Sequence, residues 1–311
     1  MHPGSCPRNE LGLAVFRPPR ALGAIIGGAF AAWALVFAAL SLSVAIGSPA
    51  EFKTFLAYLV AFVLLGVAAA FAHWVYAIVA LAYVVDHDSL TIRWGFRRVV
   101  IPLDTILRMV PGRTLEEAHV HGLNWWGCHV GHADVKRIGY TLFYSTHGSP
   151  NELLFVHTTQ ESYALTVLDQ AAFAEEVQER AALAPLESHP QRATAIGLGA
   201  LPFWRDHHAL IAAGLALVAG ALMCGYVFAR YPGLAEVVEL NFPALGSIVR
   251  VGDKQELLKI AYLGLGILAV NAVVGIAAHA RERAAGIWLL ASAGILQIVL
   301  LGAALAAFAT A

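Results

Sequence analysis

Long apolar runs alternate with short polar breaks at both ends of this chain. The runs are Leu22 to Gly47, Phe55 to roughly Val79, His208 to Ala229, Leu258 to Ala278 and Gly286 to Phe308. A helix needs about 20 mostly apolar residues to cross a bilayer, because it must satisfy its own backbone groups there. The pattern predicts about five transmembrane helices by that criterion. The first run is longer than the apolar core of a signal peptide, and no small-residue cleavage site stands out after it. It is expected to stay as an anchor. Cys6 has no apolar stretch before it, which argues against a lipoprotein signal.

Between the second and third runs the period changes from continuous to alternating. Leu90, Ile92 and Trp94 follow the turn Asp86-His87-Asp88-Ser89, and Gly95-Phe96 turns the chain into Val99 to Ile101. Tyr140 to Ser145, Glu152 to Thr158 and Tyr163 to Thr166 repeat the alternation, with turn residues at 147–151 and 158–162. Runs of this kind bounded by turn residues predict strands. Asp169 can then cap a helix whose stripe is Ala172, Phe173, Val177 and Ala181, with Glu175, Glu176, Glu179 and Arg180 facing elsewhere. Successive strands followed by one amphipathic helix predict a small β-barrel closed by that C-terminal helix. The expected fold class is a membrane α-helical bundle with this β-barrel domain inserted. Its parts are a tail at 1–20, a transmembrane hairpin at 21–80, the inserted domain at 81–184, a linker at 185–205, and three further helices at 206–311 with a loop at 230–257.

Composition agrees with membrane embedding. Hydrophobic residues make up 59% of the 311 positions and charged residues 13%, and the mean hydropathy is +0.68. These values are too apolar for an ordinary soluble domain. Lys and Arg number 20 against 21 Asp and Glu, so there is no basic field for nucleic acid, and none is expected as a partner. Cys6, Cys128 and Cys224 are odd in number and far apart, which implies neither a disulfide framework nor a thiolate zinc knuckle. Cations set orientation, because Lys and Arg resist translocation. Arg8, Arg17, Arg20, Arg93, Arg97, Arg98, Arg192, Arg205, Arg281 and Arg283 fall on one side; Lys53, Arg230, Arg250, Lys254 and Lys259 fall on the other. That bias places the N-terminus and the 81–184 domain in the cytoplasm of a cell with this protein in its inner membrane, and the C-terminus outside.

The run YVVDHDSLTIRWGFRRVVIPLDTILRMVPG, with the later GLNWWGCHVG, FYST, NELLFVHT and LDQAAFAEEV, resembles the bacterial pleckstrin-homology-like (PH-like) domain found between membrane helices. Val85 stands where that family usually has Thr. The resemblance implies the fold and is nearly silent on activity. Eukaryotic members that bind inositol phosphates use a basic first hairpin, whereas here Asp86-His87-Asp88-Ser89 would repel a phosphate. The 231–254 loop resembles that of a short bacterial membrane domain seen in immunity proteins against a sporulation-delaying peptide toxin, with Tyr231, Pro232, Phe242, Gly246, Gly252 and Lys254 matching. Asn241, Pro243 and Val249 depart from that pattern and remove most of its polar side chains.

Candidate chemistry is concentrated in His119-Val-His-Gly-Leu-Asn-Trp-Trp-Gly-Cys-His-Val-Gly-His132. A zinc site needs about four converging ligands, and His119, Cys128, His129 and His132 would supply them if the loop folded back. Their spacing is not a recognised one. The preferred reading is a long inter-strand loop turning at Gly122, Gly127 and Gly131, with no metal or other cofactor. Trp125 and Trp126 suit either a headgroup-level position or a covered core position, core packing being favoured for at least one. Arg93, Arg97 and Arg98 form a basic cluster that suits anionic lipid, or simply a solvated strand end. Within the spans, Asn271 and Gln297 are placed at similar depth, so an interhelical hydrogen bond between them is expected. His73, near the end of the second span, reads as an interfacial side chain. No phosphate-binding loop, nucleophile elbow or His-Glu-x-x-His motif occurs. The sequence therefore points to a non-catalytic membrane protein whose PH-like domain docks a protein partner or itself, beside the lipid bilayer, with no small-molecule substrate. Its exposed barrel edges and the groove beside the closing helix are the docking surfaces this reading offers. The rivals are a sensor or immunity protein that binds an extracellular peptide through 231–254, and a metal-dependent membrane enzyme.

Overall fold

The computed structural model describes residues 13–115, 119–183, 190–242 and 248–310. The chain forms two compact units, one of Met1–Trp33 with Val67–Ala200 and one of Ala34–Gly66 with Leu201–Ala311. Among the described residues, five helices are long and apolar enough to cross a membrane, and each lies within a few residues of an apolar run in the sequence.

In the first unit, β1 (Ala14–Phe16) precedes the first half of α1 (Ala21–Ala45), and β2 (Ala82–Val85) follows the second half of α2 (Phe52–Ala80), the rest of both helices belonging to the second unit. The strands β3 (Ser89–Trp94), β4 (Arg97–Pro102), β5 (Ile106–Pro111), β6 (His121–Trp125), β7 (Cys128–Val135), β8 (Gly139–Ser145), β9 (Leu153–Thr158) and β10 (Ser162–Thr166) come next. Then come α3 (Gln170–Ala181) and β11 (Arg192–Ala195). They make two sheets, β1-β2-β3-β4-β11 and β5-β9-β10-β8-β7-β6. β10 runs parallel to β8 and antiparallel to β9.

Tyr83, Leu90, Ile92, Val99 and Ile101 of the first sheet share one buried core with Val156, Tyr163 and Leu165 of the second and with Phe173 and Val177 of α3. The other face of the second sheet is buried as well, where Phe143, Phe155 and Ala164 lie under Val120, Val110 and Leu115. β9 and β10 are thus covered at nearly every position, and the alternation expected of them from the sequence does not carry over into burial. The Tyr83 hydroxyl donates to the Tyr144 carbonyl at 2.7 Å and accepts from the Thr166 amide at 3.2 Å, tying the two sheets together inside the core.

Two expectations change here. The strands do not close into one hydrogen-bonded barrel; they form two stacked sheets with ends at β1 and β11 and at β5 and β6. A 3-10 turn at Leu103–Thr105 carries the chain from β4 of one sheet to β5 of the other instead of continuing the ladder. Glu176 also does not face away from the core: it is buried, with its charge met one turn on by Arg180 at 2.6 Å. The predicted cap is present, with Asp169 accepting from the Ala172 amide at 2.9 Å.

The second unit contains α4 (His207–Arg230), β12 (Val237–Phe242), β13 (Ile248–Asp253), α5 (Gln255–His279) and α6 (Arg283–Thr310). β12 and β13 pair antiparallel. Phe242 pairs with Ile248 and Gly252 with Val238; Gly246 lies outside the described residues. Lys254 meets Glu236 at 2.7 Å and sits 5.4 Å from the Tyr231 ring centroid.

The expected pairing of Asn271 with Gln297 does not form. Gln297 is fully buried and donates to the Gly264 carbonyl at 2.7 Å, while Asn271 donates to Ile267 of its own helix at 2.9 Å. Measured from the break between α5 and α6, the two amides differ in depth by about six residues, or roughly 9 Å of helix rise. At Gly264 the absence of a side chain is what admits the Gln297 amide: a Cβ there would lie 2.8 Å from Gln297 Oε1.

Candidate functional site

The histidine-rich window is a tight hairpin, not a long loop. β6 and β7 are joined by Trp126-Gly127, and Gly127 takes a φ of +73° that its lack of a side chain allows. The register sets His121 opposite His132, Gly122 opposite Gly131, Asn124 opposite His129 and Trp125 opposite Cys128. Side chains alternate along a strand, so Cys128 and His129 must point to opposite faces.

The four candidate ligands accordingly fall into separate surroundings. Cys128 is buried, and that burial pushes its thiol up to about 11, with Trp74 beside it acting in the opposite direction. His129 Nδ1 lies 2.6 Å from Asn124 Oδ1; burial, and then His147, hold its ring below the ordinary histidine value. His119, His121 and His132 belong to a run of rings that ends on Tyr140, with centroids 5.3, 5.8 and 5.6 Å apart. No group of three or more His, Cys, Asp or Glu side chains arranged to hold a metal ion occurs among the described residues.

The two indoles divide the roles that the sequence left open. Trp125 packs into a cluster with Trp74 at 5.0 Å, Phe30 at 5.7 Å and Phe71 at 6.0 Å, so it covers apolar surface. Trp126, on the turn itself, is 63% exposed. Behind it the Gly127 backbone lies against Gly23 in the first turn of α1, so close that a Cβ at Gly127 would overlap the Gly23 nitrogen. An open cleft of about 520 Å³ lies beside the turn.

The basic cluster lies on the β3–β4 hairpin. Arg93 pairs with Arg98 across the strands and so shares its face, while Arg97 sits opposite Trp94; all three are exposed. The hairpin tip is anchored, with Phe96 stacked on His73 at 5.3 Å and lying 5.1 Å from Tyr76 of α2. His73 is thus part of an aromatic contact rather than a free interfacial side chain. The turn before β3 is acidic, and His87 Nδ1 meets Asp88 there at 2.8 Å.

Residues 81–181 match the family model of the bacterial PH domain (bPH_5). No curated protein and no solved structure matches the chain. The matched residues begin after α2 and end with α3, so β1 and β11 lie outside the PH domain as the family defines it and are additions that extend its first sheet. The match does not include the β12–β13 hairpin, so the likeness to toxin-immunity proteins gains nothing from it.

The sequence reading missed one polar group altogether. Asp206, nearly buried, caps α4 by accepting from the His208 amide at 3.0 Å. It also meets His279 Nε2 at 3.0 Å and accepts from Arg283 Nε at 2.5 Å and Nη2 at 3.2 Å. These donors, Arg283 foremost, hold its carboxyl well below the usual carboxylate range. One carboxylate thereby ties the start of α4 to the end of α5 and the start of α6. The legible part was the cap position, an Asp immediately before an apolar run; the two partners, more than 70 residues away, left no local sign.

Proposed function

We propose that this is a non-catalytic, multi-pass protein of the bacterial cell membrane whose PH domain is held rigidly on its own helices and presents a docking surface to a protein partner. The observation behind this reading is the pairing of β1 with β2, Ala14 opposite Val85 and Phe16 opposite Tyr83. β1 enters α1 and β2 leaves α2, so the membrane hairpin is an insertion between two adjacent strands of the first sheet. The module is therefore fixed to the ends of α1 and α2 by ladder hydrogen bonds rather than by a tether. Such fixing suits a platform better than a mobile sensor arm. The cation bias supports a platform that lies, with the N-terminus, on the cytoplasmic side, and a C-terminus outside.

Sheet edges suggest where a partner would dock. β11 covers β4 and β1 covers β2, so the first sheet offers only short terminal strands. The second sheet ends at β5, where Leu107 is 60% exposed, and at β6. Exposed sheet edges accept an added strand through main-chain hydrogen bonds.

In-cell photo-crosslinking from position 107 on β5 and from position 237 on β12 tests the reading. A single protein captured from 107, and lost when Leu107 is flanked by an Arg108→Pro change that blocks strand addition, is the expected result. Capture from 237 alone would transfer the function to the hairpin between α4 and α5 and to the peptide-binding alternative.

A further inference from the structure

We propose that the cleft where α4 and α6 begin and α5 ends grips a phosphodiester anion, supplied by an anionic lipid of the membrane. Pro202, Arg205, Asp206, His207, His279 and Arg283 line this cleft of about 290 Å³. All six belong to the second unit, so the site is separate from the PH domain. Two guanidinium groups against one carboxylate leave one net positive charge before either histidine is protonated. That matches the single negative charge of a phosphodiester. Glu282, the residue before Arg283, is exposed and does not line the cleft.

Asp206 does not stand in the way of an anion, because its oxygens are already saturated. Oδ1 accepts from the His208 amide at 3.0 Å and Arg283 Nη2 at 3.2 Å, and Oδ2 meets His279 Nε2 at 3.0 Å and Arg283 Nε at 2.5 Å. The carboxylate instead positions a cation. With Nε and Nη2 tied down, the Arg283 guanidinium is held in one plane, yet its side chain stays 64% exposed and Nη1 is left to donate. Arg205 is exposed and stands outside the Asp206 network. One anchored and one mobile guanidinium suit phosphate, whose oxygens Arg binds with charge-assisted hydrogen bonds.

A further group points the same way. His279 is 4% exposed, and its Nε2 carries the hydrogen that Asp206 takes, since a carboxylate only accepts. Its Nδ1 is buried and meets no partner among the described residues. Buried polar atoms are normally paired, and an anion beside the ring favours the imidazolium form.

The lipid source follows from position. His207 opens α4, His279 closes α5 and Arg283 opens α6, so the cleft lies where three apolar spans end together. Trp204, 55% exposed, precedes Arg205, and exposed indoles at span ends favour the headgroup layer. Basic pockets between spans take lipid headgroups at that depth. This inference rests on α4, α5 and α6 lying in a bilayer and is independent of the docking role given to the PH domain.

Native mass spectrometry of the full chain in detergent, with added phosphatidylglycerol or phosphatidylcholine, tests it. Phosphatidylglycerol should be retained at least about fivefold better, the worth of one cation beside an anionic headgroup. Arg205→Gln, which leaves the Asp206 network intact, should erase most of that preference, and Arg205→Lys should keep most of it. Two variants with the same loss of charge, Arg230→Gln at the far end of α4 and Arg98→Gln on the β3–β4 hairpin, should leave the preference unchanged. Equal retention of the two lipids, or a preference that survives Arg205→Gln, overturns the proposal. So does an equal loss in Arg230→Gln or Arg98→Gln, which would assign the preference to overall charge or to the PH domain. Soluble glycerophosphoglycerol displacing the lipid at equal concentration overturns the membrane source. Failure of the bilayer premise is distinct, since the chain would then stay monodisperse without detergent.

Discussion

Gly127 and Gly23 meet backbone to backbone, and neither position has room for a methyl group: a Cβ at Gly23 would lie 2.7 Å from the Gly127 carbonyl oxygen, and one at Gly127 would overlap the Gly23 nitrogen. The contact seats the β6–β7 turn on the first turn of α1. Gly127→Ala and Gly23→Ala should each destabilise the first unit by roughly 1–3 kcal/mol, as overpacking of fitted surfaces does. Because both changes break one contact, the double variant should cost less than the sum. Gly28→Ala, on the same helix with nothing within 4 Å, should be neutral. Thermal unfolding of the four variants in detergent checks the series.

Tyr83→Phe keeps the ring and removes only the hydroxyl. The Tyr144 carbonyl then loses its donor and the Thr166 amide its acceptor, both inside the core. Leaving buried polar groups unsatisfied costs about 1–3 kcal/mol. Chemical or thermal unfolding should show that loss, and amide exchange should speed up at Thr166. A change within about 0.5 kcal/mol, the ordinary range for a neutral surface substitution, would mean that the hydroxyl does not join the sheets.

Asp206→Asn should lower the unfolding temperature at neutral pH. The folded-state value of this carboxyl is depressed, first by Arg283. Its contribution is therefore fully present above the ~3.9 of an unfolded aspartate and is lost only as pH falls through the depressed folded value. The melting difference between wild type and Asp206→Asn should stay level down to about pH 5 and narrow in stronger acid. A difference that instead grows on acidification would contradict the arrangement.

Cys128 should resist modification. With its thiol buried and pushed up to about 11, almost none is thiolate at neutral pH. In a Cys6→Ser, Cys224→Ser background, maleimide should label position 128 only after denaturation. Incubation with a chelator should leave the unfolding temperature of the wild type unchanged, because the window's cysteine and histidines point into different surroundings.

The helices were legible because a run of about 20 consecutive apolar residues rarely forms anything but a membrane span. Strand pattern was legible wherever one face is buried, as in β3, where Leu90 and Ile92 point to the core. β8, β9, β10 and the Asp169 cap were also readable from local sequence. What escaped depends on distant partners. β1 and β11 are three and four residues long, and they are strands only because β2 and β4 provide ladders for them. The histidine window looked like a loop because its glycines suggested turns. In fact Gly122 and Gly131 face each other across the hairpin, so close that a Cβ at either would strike the other strand's backbone. Asn271 and Gln297 looked paired because depth was judged from the connection alone, and an offset of less than two turns was enough to separate them.

The interruption of the β1–β2 ladder by two apolar helices also orders the events of synthesis. Translation delivers β1 before either helix, yet its mate does not exist until α1 and α2 have both left the ribosome. Sheet completion thus waits on the synthesis of both helices. A chain in which β1 failed to return would leave β2 bare, and an uncovered strand edge invites aggregation. The first sheet therefore gains its outermost strand, only the three residues Ala14–Phe16, across a separation of two whole helices.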